Sequence, residues 1–275
     1  MVKHLLNDFN KNNGSCFVLF SRKVDKNARK LIQQFDGKYD FYLLTYDDQG
    51  TEKNEVQNET RHIVYNRGSL EKLFGNSTPK FHSDGWKIMP GNLDLCHLLF
   101  FHQFPNYHHY WFCEDDVRYT GDMATFINNF SKCDDDLLVT NYRKMYAAWW
   151  HQRSYVSPEP HSMSNKTVFL PFFRISCQAA QDIINAYANG WSGHHEISWP
   201  SILRYYGRSI TDINTIVEGC YTSSPDNEGM GPGTFIYLPS KLFAGRRRNT
   251  LYHPVKSFAE YKKRTTVRIK RRIRN

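Results

Sequence analysis

The sequence predicts an α/β domain with a mixed, mainly parallel central sheet flanked by helices. Three observations predict it. Short apolar runs of strand length alternate with helix-patterned segments from residue 15 onward. The first runs end in polar residues, as strands do where a parallel sheet presents its ligand-binding edge. The chain has 275 residues, 40% of them apolar and 15% aromatic, enough for one large α/β core or two small ones.

"SCFVLFSR" (15–22) and "YDFYLLTYDD" (39–48) flank the helical pattern "DKNARKLIQQF" (25–35), giving a β-α-β opening. Ser21, Arg22, Asp47 and Asp48 fall at the carboxyl ends of these strands and are candidate ligand contacts; each also reads as an ordinary loop polar. Residues 50–62 read as a solvated loop, followed by the strand "HIVYN" (62–66) and a helix starting near Ser69. A turn at Pro90-Gly91 opens a helix with Leu95, Leu98, Leu99 and His102 on one side. Next come the strand "YHHYWFCEDD" (107–116), the helix "MATFINNFSK" (123–132), and the strands "DLLVTNYR" (136–143) and "VFLPFFRIS" (168–176). The helix "CQAAQDIINAYANG" is stopped by Gly190, and a short helix from Ile197 closes at Gly207. The compact domain is expected over 1–258, with a basic tail over 259–275.

The six cysteines are scattered without a CxxC pair and read as small buried hydrophobes. No window approaches the roughly 20 apolar residues of a membrane span, and the N-terminal stretch lacks the apolar segment of a secretion signal. A cytoplasmic protein is expected. Charge is uneven: residues 246–275 hold twelve Lys or Arg and one acid, a net of +11, so with +9 overall the rest carries −2.

An unpaired carboxylate at the end of a buried strand costs several kcal/mol or changes its protonation state. Glu114, Asp115 and Asp116 close the aromatic run "HHYWFC", so positive charge is expected beside them. While strand geometry lasts, Glu114 and Asp116 project to one side and Asp115 to the other. Two carboxylates on one side are half of a site for Mn²⁺ or Mg²⁺, which fill the rest of their shell with phosphate oxygens and water. An acidic turn capping the next helix is the plainer alternative.

An apolar strand in mid-domain ending in such a triplet resembles the DxD-type metal and nucleotide-sugar site of GT-A fold (Rossmann-related) glycosyltransferases, with Glu in first place as a departure. "YWFCEDDVRYTG", "LPFFRIS", "GHHE" and "YHPVK" together are similar to a little-characterised group of that superfamily, over most of residues 15–256. The resemblance implies roles. Glu114, Asp116 and His253 would hold the metal, and Glu196, after a glycine turn and before a helix, would be the base of an inverting transfer. Glu114 and Asp115, with Ser21, Arg22, Asp47 and Lys87, would contact the nucleotide sugar. Lys256 and Arg248, from the run Arg246–Arg248, would reach its diphosphate. Trp150 and His195 would meet the acceptor. Each has a plainer reading: Glu196 as a helix N-terminal acid, His253 as a packed histidine, the tryptophans as core.

The resemblance thus implies sugar transfer from a nucleotide-diphosphate donor to a hydroxyl of a glycan or lipid-linked acceptor. "GCYTSSPDNEGMGPGTF" (219–235) reads as a lid over that site or as a surface loop. The tail suits an anionic membrane surface, which would make the protein peripheral on the cytoplasmic face; no nucleic acid is expected, because the body is near neutral and carries no such motif. Two other readings stay open, a metal-dependent phosphohydrolase and a non-catalytic polyanion-binding protein. The first is weakened by Glu114 where an Asp nucleophile would stand.

Overall fold

The computed structural model describes residues 14–21, 26–57, 60–75, 78–82, 92–145, 149–225 and 229–262; Arg22, Lys87 and the tail past Lys262 lie outside them. The elements run β1 (Ser15–Phe20), α1 (Lys26–Phe35), β2 (Asp40–Tyr46), β3 (Lys53–Gln57), β4 (Thr60–Tyr65), α2 (Arg67–Phe74), α3 (Pro79–His82), α4 (Asp94–Gln103) and β5 (His109–Glu114). They continue with β6 (Arg118–Tyr119), α5 (Met123–Asn128), β7 (Leu137–Lys144), β8 (Lys166–Ser176), α6 (Cys177–Ala188), α7 (His195–Tyr205), β9 (Ile210–Asp212) and β10 (Leu251–Tyr252).

Eight strands form one sheet in the order β3-β4-β2-β1-β5-β8-β7-β9, and β10 pairs with β6 in a separate two-stranded ribbon. The pairs β4/β2, β2/β1, β1/β5 and β7/β9 are parallel. The pairs β3/β4, β5/β8 and β8/β7 are antiparallel. The sheet is therefore mixed and mainly parallel, as the alternation of strands and helices predicts. β5 is its seam, parallel to β1 on one side and antiparallel to β8 on the other.

Both faces are covered, which is why the central strands are apolar throughout rather than at every second position. Cys16, Val18 and Phe20 of β1, with Tyr110 and Phe112 of β5, face the larger cluster that includes residues of α2, α4, α6 and α7. Phe17 and Leu19, with Trp111 and Cys113, face a second cluster with residues of α1 and α5. Asn66 caps α2 through a capping box with Ser69, Asp122 caps α5, and Ser176 caps α6.

The segment 50–62, expected to be a loop, instead supplies β3 and the start of β4. β3 lies at the edge of the sheet and is bonded through its backbone to one neighbour, so its polar sequence carries no apolar signal.

Candidate metal centre and active site

β5 ends at Glu114, and the chain leaves it in a turn closed by Val117 N–H donating to Glu114 O at 3.1 Å. The pleat that was expected to carry Asp116 to the same side as Glu114 thus stops at Glu114; the turn does the work for Asp116. Arg118 holds that turn by donating from Nη1 to the carbonyls of Asp115 (2.6 Å) and Val117 (2.7 Å). Ser21, at the end of neighbouring β1, donates to Asp115 Oδ2 at 3.4 Å, so two of the sequence-derived positions meet across adjacent strand ends.

The ribbon brings in the far end of the chain. Tyr252 of β10 pairs with Arg118 of β6, and Val255 N–H donates to Asp116 O at 2.8 Å. His253 and Lys256 consequently lie on Asp116. The Lys256 ammonium pairs with Asp116 Oδ2, and His253 Nε2 stands 3.3 Å from Oδ1. The positive charge demanded by the acidic triplet is therefore Lys256, whose side chain is 14% exposed beside its buried partner.

His253 has a fixed tautomer. Its Nδ1 lies 2.8 Å from the carbonyl of Ile236, and a carbonyl only accepts, so Nδ1 carries hydrogen. Nε2 is then the nitrogen aimed at Asp116 Oδ1, which is buried with no hydrogen-bond partner among the described residues. Two lone pairs this close require a cation, either a proton on Nε2 or a metal ion.

Glu114, Asp116 and His253 each offer one ligand atom, and these atoms lie within 4.8 Å of one another. The group can hold a metal ion. Burial first, and then Asp116, push the Glu114 carboxyl well above its ordinary range, with Lys256 opposing. Burial also works to raise Asp116, but His253 and Lys256 outweigh it and hold that carboxyl well below the usual range. A divalent cation would remove the strain on Glu114 and satisfy Oδ1 of Asp116, so the residues present fit such an ion.

Glu196 sits in the first turn of α7. The chain enters that helix through Gly193 at φ +119, where a Cβ would lie 2.8 Å from Ser154 O and 2.9 Å from Tyr155 Cα, so only glycine fits. His194 is the N-cap, its Nδ1 accepting from Glu196 N–H at 3.4 Å. Burial lowers the His194 pKa well below the ordinary value. The 3.9 Å approach of this Nδ1 to Glu196 Oε2 is accordingly no ion pair, since Nδ1 is neutral and already accepting. Leu170 N–H, from β8, donates to Glu196 Oε1 at 3.2 Å. Burial pushes the Glu196 carboxyl up to about 8, against that N–H and the charge of Arg143. Repulsion from Glu196 also raises the Glu114 carboxyl, by less than burial, Asp116 or Asp115 does.

Of the remaining sequence-derived positions, Asp47, Arg248 and His195 are described with their side chains. Asp47 is exposed and holds a local turn, its Oδ1 accepting from Gln49 N–H at 3.3 Å. Arg248 is exposed, and its carbonyl accepts from Thr250 Oγ1 at 2.8 Å. His195 is buried beneath Glu196, stacked on His194 with ring centroids 5.2 Å apart and packed against Trp199. That burial fits the packing alternative for His195. Trp150 opens a 3-10 turn, Trp150–Ser154, and its side chain lies outside the described residues, as do Arg22 and Lys87.

The glycine-rich 219–235 segment is stapled rather than loose where it is described, which excludes 226–228. Thr234 N–H donates to Thr222 O (2.9 Å), His253 N–H to Thr234 O (2.9 Å) and Leu251 N–H to Cys220 O (2.7 Å). Asn141, at φ 52 in a bulged stretch of β7, donates to Phe235 O at 3.2 Å. The segment thus supports the strand that presents His253.

Sequence reasoning missed a buried polar knot. Lys80 Nζ lies 2.6 Å from Asp94 Oδ2, with both side chains at most 3% exposed, and Tyr187 donates to the same oxygen at 2.5 Å. Tyr187 also meets Ser198 Oγ at 3.1 Å. This ties α3, α4 and α6 to the first turns of α7, where Glu196 sits. Asp94 reads in sequence as an ordinary helix N-terminal acid and Tyr187 as a core aromatic, so no signal marked them.

No protein-family model matches the chain, and no curated protein matches it. Among solved structures the chain is similar to a Bacillus anthracis protein assigned as a glucose-1-phosphate thymidylyltransferase, with a TM-score of 0.34, 11% identity, 72% of this chain and 85% of that one covered. It is also similar to a glycosyltransferase involved in glycosylation of the major capsid of PBCV-1, with a TM-score of 0.27, 11% identity and coverages of 62% and 67%. A third likeness is to UDP-glucose pyrophosphorylase of Leishmania major, with a TM-score of 0.23, 9% identity and coverages of 71% and 52%. The functional reading rests on the geometry of the site itself.

Proposed function

We propose that the protein is a metal-dependent glycosyltransferase of GT-A type. It takes a sugar from a nucleotide-diphosphate donor and passes it to a hydroxyl of a glycan or lipid-linked acceptor, with inversion. The observation that carries this is the convergence of Glu114, Asp116 and His253 at the carboxyl end of β5, with ligand atoms within 4.8 Å of one another.

Glu114 and Asp116 would hold Mn²⁺ or Mg²⁺ through oxygen, and His253 through Nε2, its Nδ1 tethered to Ile236 O. Such an ion, when bound, supplies positive charge to the departing nucleoside diphosphate. Lys256 keeps Asp116 ionised and oriented. In this reading Ser21 and Asp115 form the polar floor next to the donor, and Arg22, Lys87 and Arg248 remain candidates for its phosphates. Glu196 takes the proton of the acceptor hydroxyl at Oε2, while Leu170 N–H fixes Oε1. Its raised pKa strengthens it as a base in the ionised form, which gains population as pH approaches 8. Trp150 and His195 stand as the proposed acceptor side, His195 by supporting the helix that carries Glu196.

A thermal-shift panel of nucleotide sugars with and without Mn²⁺ tests the reading. A donor that raises Tm only when the metal is present supports it and identifies base and sugar together. Stabilisation by free nucleotide triphosphates and sugar phosphates, with none by nucleotide sugars, would point to another transfer reaction. NMR of the product anomer decides between inversion and retention, and retention would reassign Glu196.

A further inference from the structure

We propose that the surface carrying Phe243 and Phe258 docks onto an anionic lipid bilayer. Phe243 is 76% exposed and Phe258 69%, the highest exposures among the large apolar side chains of the described residues. Exposed phenyl rings of this degree lose free energy to water, and they have no polar atom to offset it.

The two rings leave one paired structure at the same end. Lys241 bridges Val255 in parallel, Lys241 N–H donates to Pro254 O at 2.8 Å, and Lys256 N–H donates back to Lys241 O at 2.9 Å. Phe243 follows two residues after Lys241 and Phe258 three after Val255. Arg246 follows Phe243 by three residues, and the run continues to the Thr120 and Thr250 end of the segment. Thr120 Oγ1 donates to Arg247 O at 2.6 Å and Thr250 Oγ1 to Arg248 O at 2.8 Å, which pins the backbone, and all three arginine side chains are exposed. The acid nearby, Glu260, is engaged by Ser257, whose Oγ donates to it at 2.7 Å.

Charge complementarity selects the partner. Residues 246–275 carry twelve basic residues and one acid while the rest of the chain is near neutral. Bare apolar rings in a stretch of sequence this basic match the boundary between anionic headgroups and acyl chains, where phenyl groups insert and basic side chains pair with phosphates. Nucleic acid would be drawn by the charge as well, but it gives these rings no apolar phase to enter. The placement also bears on the site: Lys256, on Asp116, precedes Phe258 by two residues, a span of about 7 Å when extended. Docking would therefore hold the acidic centre close to the headgroups. This inference stands on the surface alone and does not require sugar transfer.

Co-sedimentation of the full chain with vesicles tests it. The protein is expected on phosphatidylcholine vesicles that contain phosphatidylglycerol, and not on phosphatidylcholine alone, with binding lost at high salt. The double variant Phe243→Ser/Phe258→Ser is expected to bind anionic vesicles at least about tenfold more weakly at unchanged Tm. Arg246→Ser with Arg247→Ser and Arg248→Ser is expected to lower the salt sensitivity. Unchanged binding by the phenylalanine variant would overturn the proposal, because the tail charge alone would then suffice. Binding to single-stranded RNA without binding to anionic vesicles would overturn it in favour of nucleic acid.

Discussion

Replacing Glu196 by Gln separates two consequences of burying one carboxyl. Its side chain is 13% exposed, and its pKa is pushed up to about 8 from the ordinary 4.5. The folded protein therefore keeps this proton to about pH 8, whereas the unfolded chain gives it up near 4.5. Between those values folding takes up a proton, so the native state loses stability as pH rises and the loss levels off above pH 8. A difference of about 3.5 pH units at 1.36 kcal/mol each sets a ceiling of about 5 kcal/mol. Gln has the same shape, keeps the acceptor for Leu170 N–H and never ionises. Glu196→Gln should match the wild type at pH 5 and become progressively more stable toward pH 8.5. For a chain of this length, 1 kcal/mol moves Tm by roughly 2 °C, so the ceiling on the gap is about 10 °C. Scanning calorimetry on both proteins at four pH values measures it, and groups common to both cancel. A Tm difference that stays flat with pH would refute the burial argument. The same variant should lose about 10² to 10⁴ in kcat at every pH if Glu196 is the base, while wild-type kcat/KM climbs toward pH 8. Stabilisation without loss of turnover would keep the electrostatics and discard the base.

Three further outcomes are expected. Asp116→Asn should abolish any Mn²⁺-dependent rise in Tm and, by stranding the largely covered Lys256, cost on the order of 2 kcal/mol in urea unfolding; Lys256→Met added to it should recover most of that cost but not the metal response. His253→Gln should remove the metal response with a smaller stability loss, because the group it bonds through Nδ1 is a single carbonyl; equal metal shifts in wild type and variant would exclude it as a ligand. Gly193→Ala, which forces a Cβ to within 2.8 Å of Ser154 O, should lower stability by roughly 2 kcal/mol and depress kcat through the displaced start of α7; unchanged values for both would show the turn to be permissive.

The centre of the fold was legible because β1, β2 and β5 are covered on both faces and so announce themselves as unbroken apolar runs. β3 was not, since an edge strand held by backbone bonds needs no apolar side chains, and β6, β9 and β10 are two or three residues long. In the site, the acids stood out because they end an apolar strand, and the need for a nearby cation followed from electrostatics before Lys256 was located. Lys256 itself was expected at the diphosphate; the structure seats it on Asp116, a pairing that depends on how the chain returns and has no local signature. The tie between Lys80, Asp94 and Tyr187 was invisible for the same reason.

All eight strands of the large sheet are laid down between residues 15 and 212, yet His253 lies 139 positions beyond Glu114 (253 − 114). The final segment therefore acts as a clasp, closing over acids that the earlier chain has already set in place. A product truncated ahead of that clasp would retain most of its core and still present mutually repelling carboxylates, with neither imidazole nor ammonium to steady them. The group that could hold an ion is thus completed only when the segment around His253 has docked on the turn after β5.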